Sequence, residues 1–247
     1  MVTPRSKPVK SRPETERKRT EILEAAIEIF GAKGSANGTL ADIAEQVGMT
    51  HAGVLHHFGS KQKLLLEVLD YRDQRDVADL EEKRIPRGPE LFLHLVKTAF
   101  ENALRPGIVQ VYTVLSNESV TDGHPARSFF EHRYAVLRKD VTEAFERLCL
   151  QEGVTDEAAI GKASASILAV MDGLQLQWLL DPTAVDLGDA SAFAIQAIVN
   201  AVIHPGPALD TYSARAVGTE AAAAGSPGRR RHAAPPCDQS AVFGAAL

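Results

Sequence analysis

Between Thr39 and Lys63 the chain reads TLADIAEQVGMTHAGVLHHFGSKQK, and this stretch leaves little choice of fold. Thr39 offers a hydroxyl to cap a first helix, and Asp42, three residues on, can return the bond in a capping box. Leu40, Ile43, Ala44 and Val47 then recur at helical spacing on one face. Gly48 follows where the backbone must turn through a positive φ, which glycine adopts without a Cβ clash, and Met49 puts an apolar side chain into the elbow. Thr50 caps a second short helix, about Thr50 to His57, and Ser60 caps a third. Two short helices joined by a glycine turn and followed at once by another are the sequence form of a helix-turn-helix.

The second of these helices turns Val54, with Leu55 or Phe58, inward, while His51, Ala52, Gly53 and His56 are small or polar and point outward. Such a helix can lie in a major groove. Ala52 and Gly53 leave room for close approach to base edges, including a thymine methyl, and His51 can donate to a guanine edge or a phosphate. Lys61 and Lys63 occupy the first turn of the next helix, where the dipole disfavours cations by about 0.3 to 1 kcal/mol. A phosphate bound at that end reverses the sign. Any packed three-helix unit needs caps and an apolar face, so the nucleic-acid reading rests on His51, His57 and Lys61 and on the basic residues before the motif.

On these residues the chain resembles the TetR family of bacterial one-component regulators, whose pattern here is roughly T-x-x-x-I-A-x-x-x-G-V-[ST]-x-x-x-[LV]-Y-x-[HY]-F-x-[ST]-K-x-x-L. Thr39, Ile43, Ala44, Gly48, Thr50, Val54, His57, Phe58, Ser60, Lys61 and Leu64 fit it. Leu55 departs from it, standing where the family usually carries a tyrosine that reaches the DNA backbone; His56 is placed to replace that contact. The resemblance implies a double-stranded DNA operator as partner. Its contacts then fall on Thr39, Thr50, His51, Ala52, Gly53, His56, His57 and Lys61, with the lysine and histidines on phosphates and the outer face of Thr50 to His56 on bases. It also implies a small-molecule effector and repression as the usual mode of action. The alternative is a helical protein that binds DNA without sequence preference or effector.

The formal net charge of −5 argues against a generic nucleic-acid coat, but the charge is unevenly placed. Residues 1–63 hold ten Lys or Arg against seven Asp or Glu, and residues 64–247 hold seventeen against twenty-five. In the first twenty residues Arg5, Lys7, Lys10, Arg12, Arg17, Lys18 and Arg19 face only Glu14 and Glu16, the composition of a flexible arm for phosphates or a minor groove.

Helical periodicity continues through the rest of the chain, with breaks at Arg105-Pro106-Gly107, Thr121 to Pro125, Gly153-Val154-Thr155 and Asp181 to Gly188, and no period-two strand. The expected fold is all-α with about nine helices: Ser11 to Phe30, the motif's two, Lys61 to about Arg84, then 89–104, 107–119, 125–151, 155–180 and 189–203. The expected organisation is a basic arm over 1–10, a helix-turn-helix domain over 11–63, an effector-binding and dimerisation domain over 64–204, and a tail rich in Pro, Ala and Gly over 205–247 with Arg229-Arg230-Arg231 as its charge cluster. Helix 155–180 mixes Ala, Ser and Gly with larger apolar residues, and 189–203 is apolar almost all round. Two such helices from each of two chains make a four-helix bundle, so a symmetric homodimer is expected, matching a two-fold operator.

An effector pocket in a helical bundle needs aromatic walls and a few polar groups. Phe92, Tyr112, Phe129, Tyr134, Gln175 and Trp178 are the candidates, with Phe100, Phe130, His94, Asn117 and His132 beside them, although core packing accounts for the same residue types. No nucleotide loop, HExxH helix, GxSxG elbow or paired-cysteine site is present, so neither an enzyme, a cofactor nor a metal is expected. Two cysteines, Cys149 and Cys237, fit a reducing compartment. No uninterrupted apolar run reaches about 18 residues, and the N-terminus lacks a signal core, so a cytoplasmic protein without membrane contact is expected.

Overall fold

The structure, a computed structural model, describes residues 12–77, 85–154 and 156–206. The expected arm over 1–10, the helix start at Ser11, the end of the linking helix over 78–84 and the tail from 207 lie outside the described residues. Among those described there are nine helices and no strand: α1 Arg12–Asn37, α2 Leu40–Gln46, α3 His51–Phe58, α4 Lys61–Asp76, α5 Glu90–Ala103, α6 Pro106–Glu118, α7 Arg127–Glu152, α8 Glu157–Leu180 and α9 Leu187–Ile203.

Helix α1 buries Ile22, Leu23, Ala26, Ile27 and Phe30, the stripe its sequence spells. It does not stop at Gly31 as expected. Gly31 lies against the backbone of α6, where a Cβ would stand 3.4 Å from the Val111 nitrogen, so this glycine serves a close helix crossing. The break comes at Gly34, whose φ of 73° interrupts the helical dihedrals. Helix α4 is described from Lys61 to Asp76, with Val77 as C-cap.

Two apolar clusters hold the chain together. The first joins α1–α4 to Val111, Tyr112 and Leu115 of α6, to Ala126 and to Phe130 of α7, so the motif helices share a core with helices later in the sequence. The second packs Leu91, Phe92 and Leu95 of α5 against α7, α8 and α9. Helix α9 is buried on one side only, through Leu187, Ser191, Ile195, Val199 and Val202, and exposes Phe193. Among the described residues of one chain its outer face is uncovered. Helix α8 is long and apolar enough to cross a membrane by length and composition, with Lys162 and Asp172 as its interior charges, yet Ile160, Ile167 and Met171 are packed in the second cluster.

Candidate nucleic-acid interface and ligand cavity

The helix-turn-helix is built as its sequence demands. The Thr39 hydroxyl accepts the Asp42 N–H at 3.1 Å, and the Asp42 carboxylate accepts the Thr39 N–H at 2.9 Å and its hydroxyl at 2.7 Å. The hydroxyl and backbone of Thr39, with Lys33 beside them, hold the Asp42 pKa down at about 2. Gly48 takes the turn with φ 63°, and the Thr50 hydroxyl caps α3 by accepting the Gly53 N–H at 3.1 Å. Val54 and Phe58 are buried and Leu55 is half-buried. His51, Ala52 and His56 stand exposed on the outer face, with Gly53 partly covered. A Cβ on Gly53 would come within 3.1 Å of the Met49 methyl and 3.3 Å of the Thr50 hydroxyl, so this glycine keeps the elbow and the cap compact.

The N-termini of α2, α3 and α4 differ as anion sites. That of α2 already holds the Asp42 carboxylate, and the Thr39 hydroxyl proton is committed to it. The first turns of α3 and α4 carry no acid, and α4 carries Lys61 and Lys63 instead. Lys61 donates to the Ala36 carbonyl at the end of α1 at 3.2 Å, which steadies its ammonium at the outer surface, and Lys63 is exposed. Bound phosphate oxygens are stabilised at such ends by the free amides and the dipole.

Part of the expected basic arm is instead structural. Arg17 and Lys18 belong to α1, each 2.6 Å from Glu21. Arg19 pairs with Glu67, donates to the His57 carbonyl at 2.7 Å and lies 4.4 Å over the Phe58 ring, which ties α1 to α3 and α4. Partners within reach at one helical turn and a stacking ring decide this, and neither is visible in a count of charges.

A cavity of about 540 Å³ opens between α4, α5, α6, α7 and α8. Of the expected pocket residues it brings together Tyr112, Tyr134 and Gln175, and His94 joins them. Phe92 is not in it; that ring packs 4.7 Å from Phe145 in the second core cluster. Phe129 lies 5.4 Å from Phe130 beside the first cluster, and half-buried Trp178 is outside the lining. Phe100 is exposed, and Asn117 donates to the Thr113 carbonyl.

The charged wall of this cavity was missed by the sequence reading. Arg72 of α4, 3 % exposed, donates to Asp73 and forms an ion pair with Asp76, at 3.0 Å each. Burial opposes its charge, and the two carboxylates outweigh burial and keep its pKa above the ordinary value. Arg133 of α7 also pairs with Asp73, and Arg105 reaches Asp76 at 3.1 Å. Both Arg72 and Arg133 stack on Tyr112, at 4.4 and 5.3 Å from its ring centre. Tyr134 donates its hydroxyl to Asp172 at 2.6 Å, and burial pushes the carboxyl of Asp172 above its ordinary value. Six buried polar atoms on lining residues have no partner among the described residues: Arg72 Nε, His94 Nδ1, Thr98 Oγ1, Asn102 Nδ2, Arg133 Nε and Gln175 Oε1. Buried polar groups are normally satisfied, and these six are collected around one hollow. The signal available beforehand was the charged run of α4 and the lone Asp172 in an apolar helix, both of which read equally well as solvated.

Comparison with known proteins gives the same outline. Residues 22–68 match the family described as bacterial regulatory proteins, tetR family, and residues 90–204 match the BetI-type transcriptional repressor C-terminal family. The chain is 31 % identical over 178 residues to the HTH-type transcriptional regulator BetI of Agrobacterium fabrum, covering 71 % of this chain and 83 % of that protein. Its fold is similar to that of SmeT in a triclosan complex, with a TM-score of 0.64 at 19 % identity over 77 % of this chain and 93 % of that one. A regulator from Saccharomonospora viridis in complex with choline aligns with a TM-score of 0.58 at 22 % identity, over 77 % and 97 % of the two chains.

Proposed function

Since the chain belongs to the TetR family of regulators and is a DNA-binding transcriptional regulator, we propose that it is a repressor released from its operator when a small molecule enters the α4–α8 cavity. Residues 11–63 form the DNA-reading part and residues 64–204 the effector-binding and dimerisation part. The observation that carries this reading is helix α4, which holds Lys61 at its outer N-terminus and Arg72, Asp73 and Asp76 in the cavity wall. Lys61 and Arg72 are eleven residues apart on that helix, about 17 Å at the usual rise. An occupant that rearranges the Arg72 pairs therefore acts on the helix whose first turn meets DNA.

DNA contact divides into two parts. Lys61, His56 and His57 serve phosphates, and the outer face of Thr50 to His56, with His51, Ala52 and Gly53, reads bases; Thr39 contributes by holding α2 in place. The chain acts in the cytoplasm as a homodimer through the outer faces of α8 and α9, where Leu176, Leu180 and Phe193 are exposed. The dimer sets two α3 helices one DNA turn apart, about 34 Å. The effector shifts this spacing only if it binds the released conformation more tightly than the DNA-bound one. Triclosan and choline, bound by the two structural relatives, indicate the size range of such effectors.

Fluorescence anisotropy of the full chain on duplex from upstream of its own gene and on scrambled duplex, across a salt series, tests this reading. Tight saturable binding to the first alone, at two chains per site, is the expected result. Equal weak binding to both, with only a steep salt dependence, would assign it to non-specific DNA binding.

A further inference from the structure

Resting on the reading of the α4–α8 cavity as the effector site, we propose that its ligand is an amphipathic organic amine in its protonated form, whose N–H groups are held by the Asp172 carboxylate and the Gln175 amide oxygen.

Among the described residues, the charged groups lining the cavity are Arg72, Arg87 and Arg133 with Asp73, Asp76, Asp140 and Asp172. Asp73 is held by Arg72 and Arg133, and Asp76 by Arg72 and Arg105. Asp140 has no ion pair among the described residues; burial and Glu143 work against its charge, and Arg87 and Lys139 favour it. Asp172 has no ion pair among the described residues; it accepts the Tyr134 hydroxyl at 2.6 Å. Burial works against its negative charge, and the Tyr134 hydroxyl with the more distant Arg133 and Arg72 does not fully offset that. Asp172 is therefore a carboxylate in the cavity wall with no ion pair among the described residues, and a cationic ligand neutralises it.

Hydrogen-bonding capacity narrows the cation. Gln175 stands three residues beyond Asp172 on the same face of α8, is 5 % exposed, lines the cavity and has a buried Oε1 without a partner. Two acceptors at that spacing ask for a ligand with N–H donors, which an ammonium bearing hydrogens supplies and a quaternary ammonium lacks. The Tyr112 ring, where a quaternary ammonium would otherwise stack, is engaged by the guanidinium groups of Arg72 and Arg133. Leu95, Leu137, Leu168 and Met171 give the remainder of the wall an apolar surface for the ligand's hydrocarbon part.

Calorimetric titration of the full chain with phenylbutylamine, and with the matching alcohol, carboxylate and trimethylammonium compounds, decides it. The amine is expected to bind about tenfold tighter than each of the others, a difference that follows from pairing one buried charge. Asp172→Asn is expected to remove that preference and Gln175→Leu to weaken it, each variant being checked for helical content by circular dichroism. The proposal is overturned if another compound binds as tightly as the amine, if none binds, or if Asp172→Asn leaves the preference intact. The same titrations on the protein bound to labelled operator separate this from the effector reading. Amine binding without release of DNA upholds the ligand class and overturns the effector role, and release by the carboxylate or alcohol alone does the reverse.

Discussion

Thr39 and Asp42 hold the first turn of α2 through bonds of 2.7 to 3.1 Å, and the carboxylate is depressed to a pKa of about 2 because its charged form receives them. A folded-state pKa below the ordinary 3.8 means that the stabilisation is present above that value and is lost as pH falls from there towards about 2. NMR titration of the Asp42 carboxyl should therefore give a midpoint near the lower value, rising towards the ordinary one in Thr39→Ala. That variant should also lose about 1 kcal/mol in urea unfolding, the usual cost of an N-cap. At the DNA face, Lys61→Ala should weaken binding to every duplex and reduce the salt slope by about one unit, measured by anisotropy at several salt concentrations. His51→Ala should instead change the ranking of duplex sequences. A uniform loss across sequences from His51→Ala would move that residue from the bases to the phosphates. The caps were legible because each depends on residues three apart; the role of Arg19 was not, since Glu67 and the Phe58 ring lie 48 and 39 positions beyond it in the chain.

Helices were legible where an apolar stripe and a stop agree. Helix α5 runs from Glu90 to Ala103 against an expected 89–104, and α6 from Pro106 to Glu118 against 107–119. The end of α1 was not, because Gly31 and Gly34 look alike in sequence while one packs against α6 and the other turns the chain. Gly34→Ala puts a side chain at φ 73° with its Cβ against a Glu118 carboxylate oxygen, and should cost about 1 kcal/mol or more by thermal or urea unfolding. On the proposed reading, helix α4 joins DNA binding to the cavity. Removing the buried guanidinium in Arg72→Ala leaves Asp73 and Asp76 with fewer partners and should destabilise the fold by about 3 kcal/mol in urea. Retained DNA affinity with a lost effector response in any folded remainder would locate the coupling in this residue.

For the whole molecule, the exposed side chains of α8 and α9 matter most. Phe193 is 79 % exposed and Leu180 77 %, on helices whose opposite faces are packed, and an apolar surface of this kind calls for a partner. Phe193→Glu should shift the protein from dimer to monomer in sedimentation equilibrium and weaken operator binding, because the two reading helices then bind independently. An unchanged dimer would place the interface elsewhere.

The local signals in the chain, namely caps three residues apart, a glycine at the turn and apolar residues at helical intervals, were enough to determine an all-α fold, a helix-turn-helix and the residues on its outer face, since each operates within one or two turns of backbone. The cavity was decided only by tertiary structure. Phe92 and Tyr112 are both aromatic residues on amphipathic helices, and nothing local separates a ring packed on Phe145 from one stacked under two guanidinium groups. Arg72, Arg105, Arg133, Asp172 and Gln175 come from α4, the start of α6, α7 and α8, and meet only because the helices cross where they do. A site whose charge balance depends on side chains distant in sequence is specified by packing, and packing is a property of the whole chain at once.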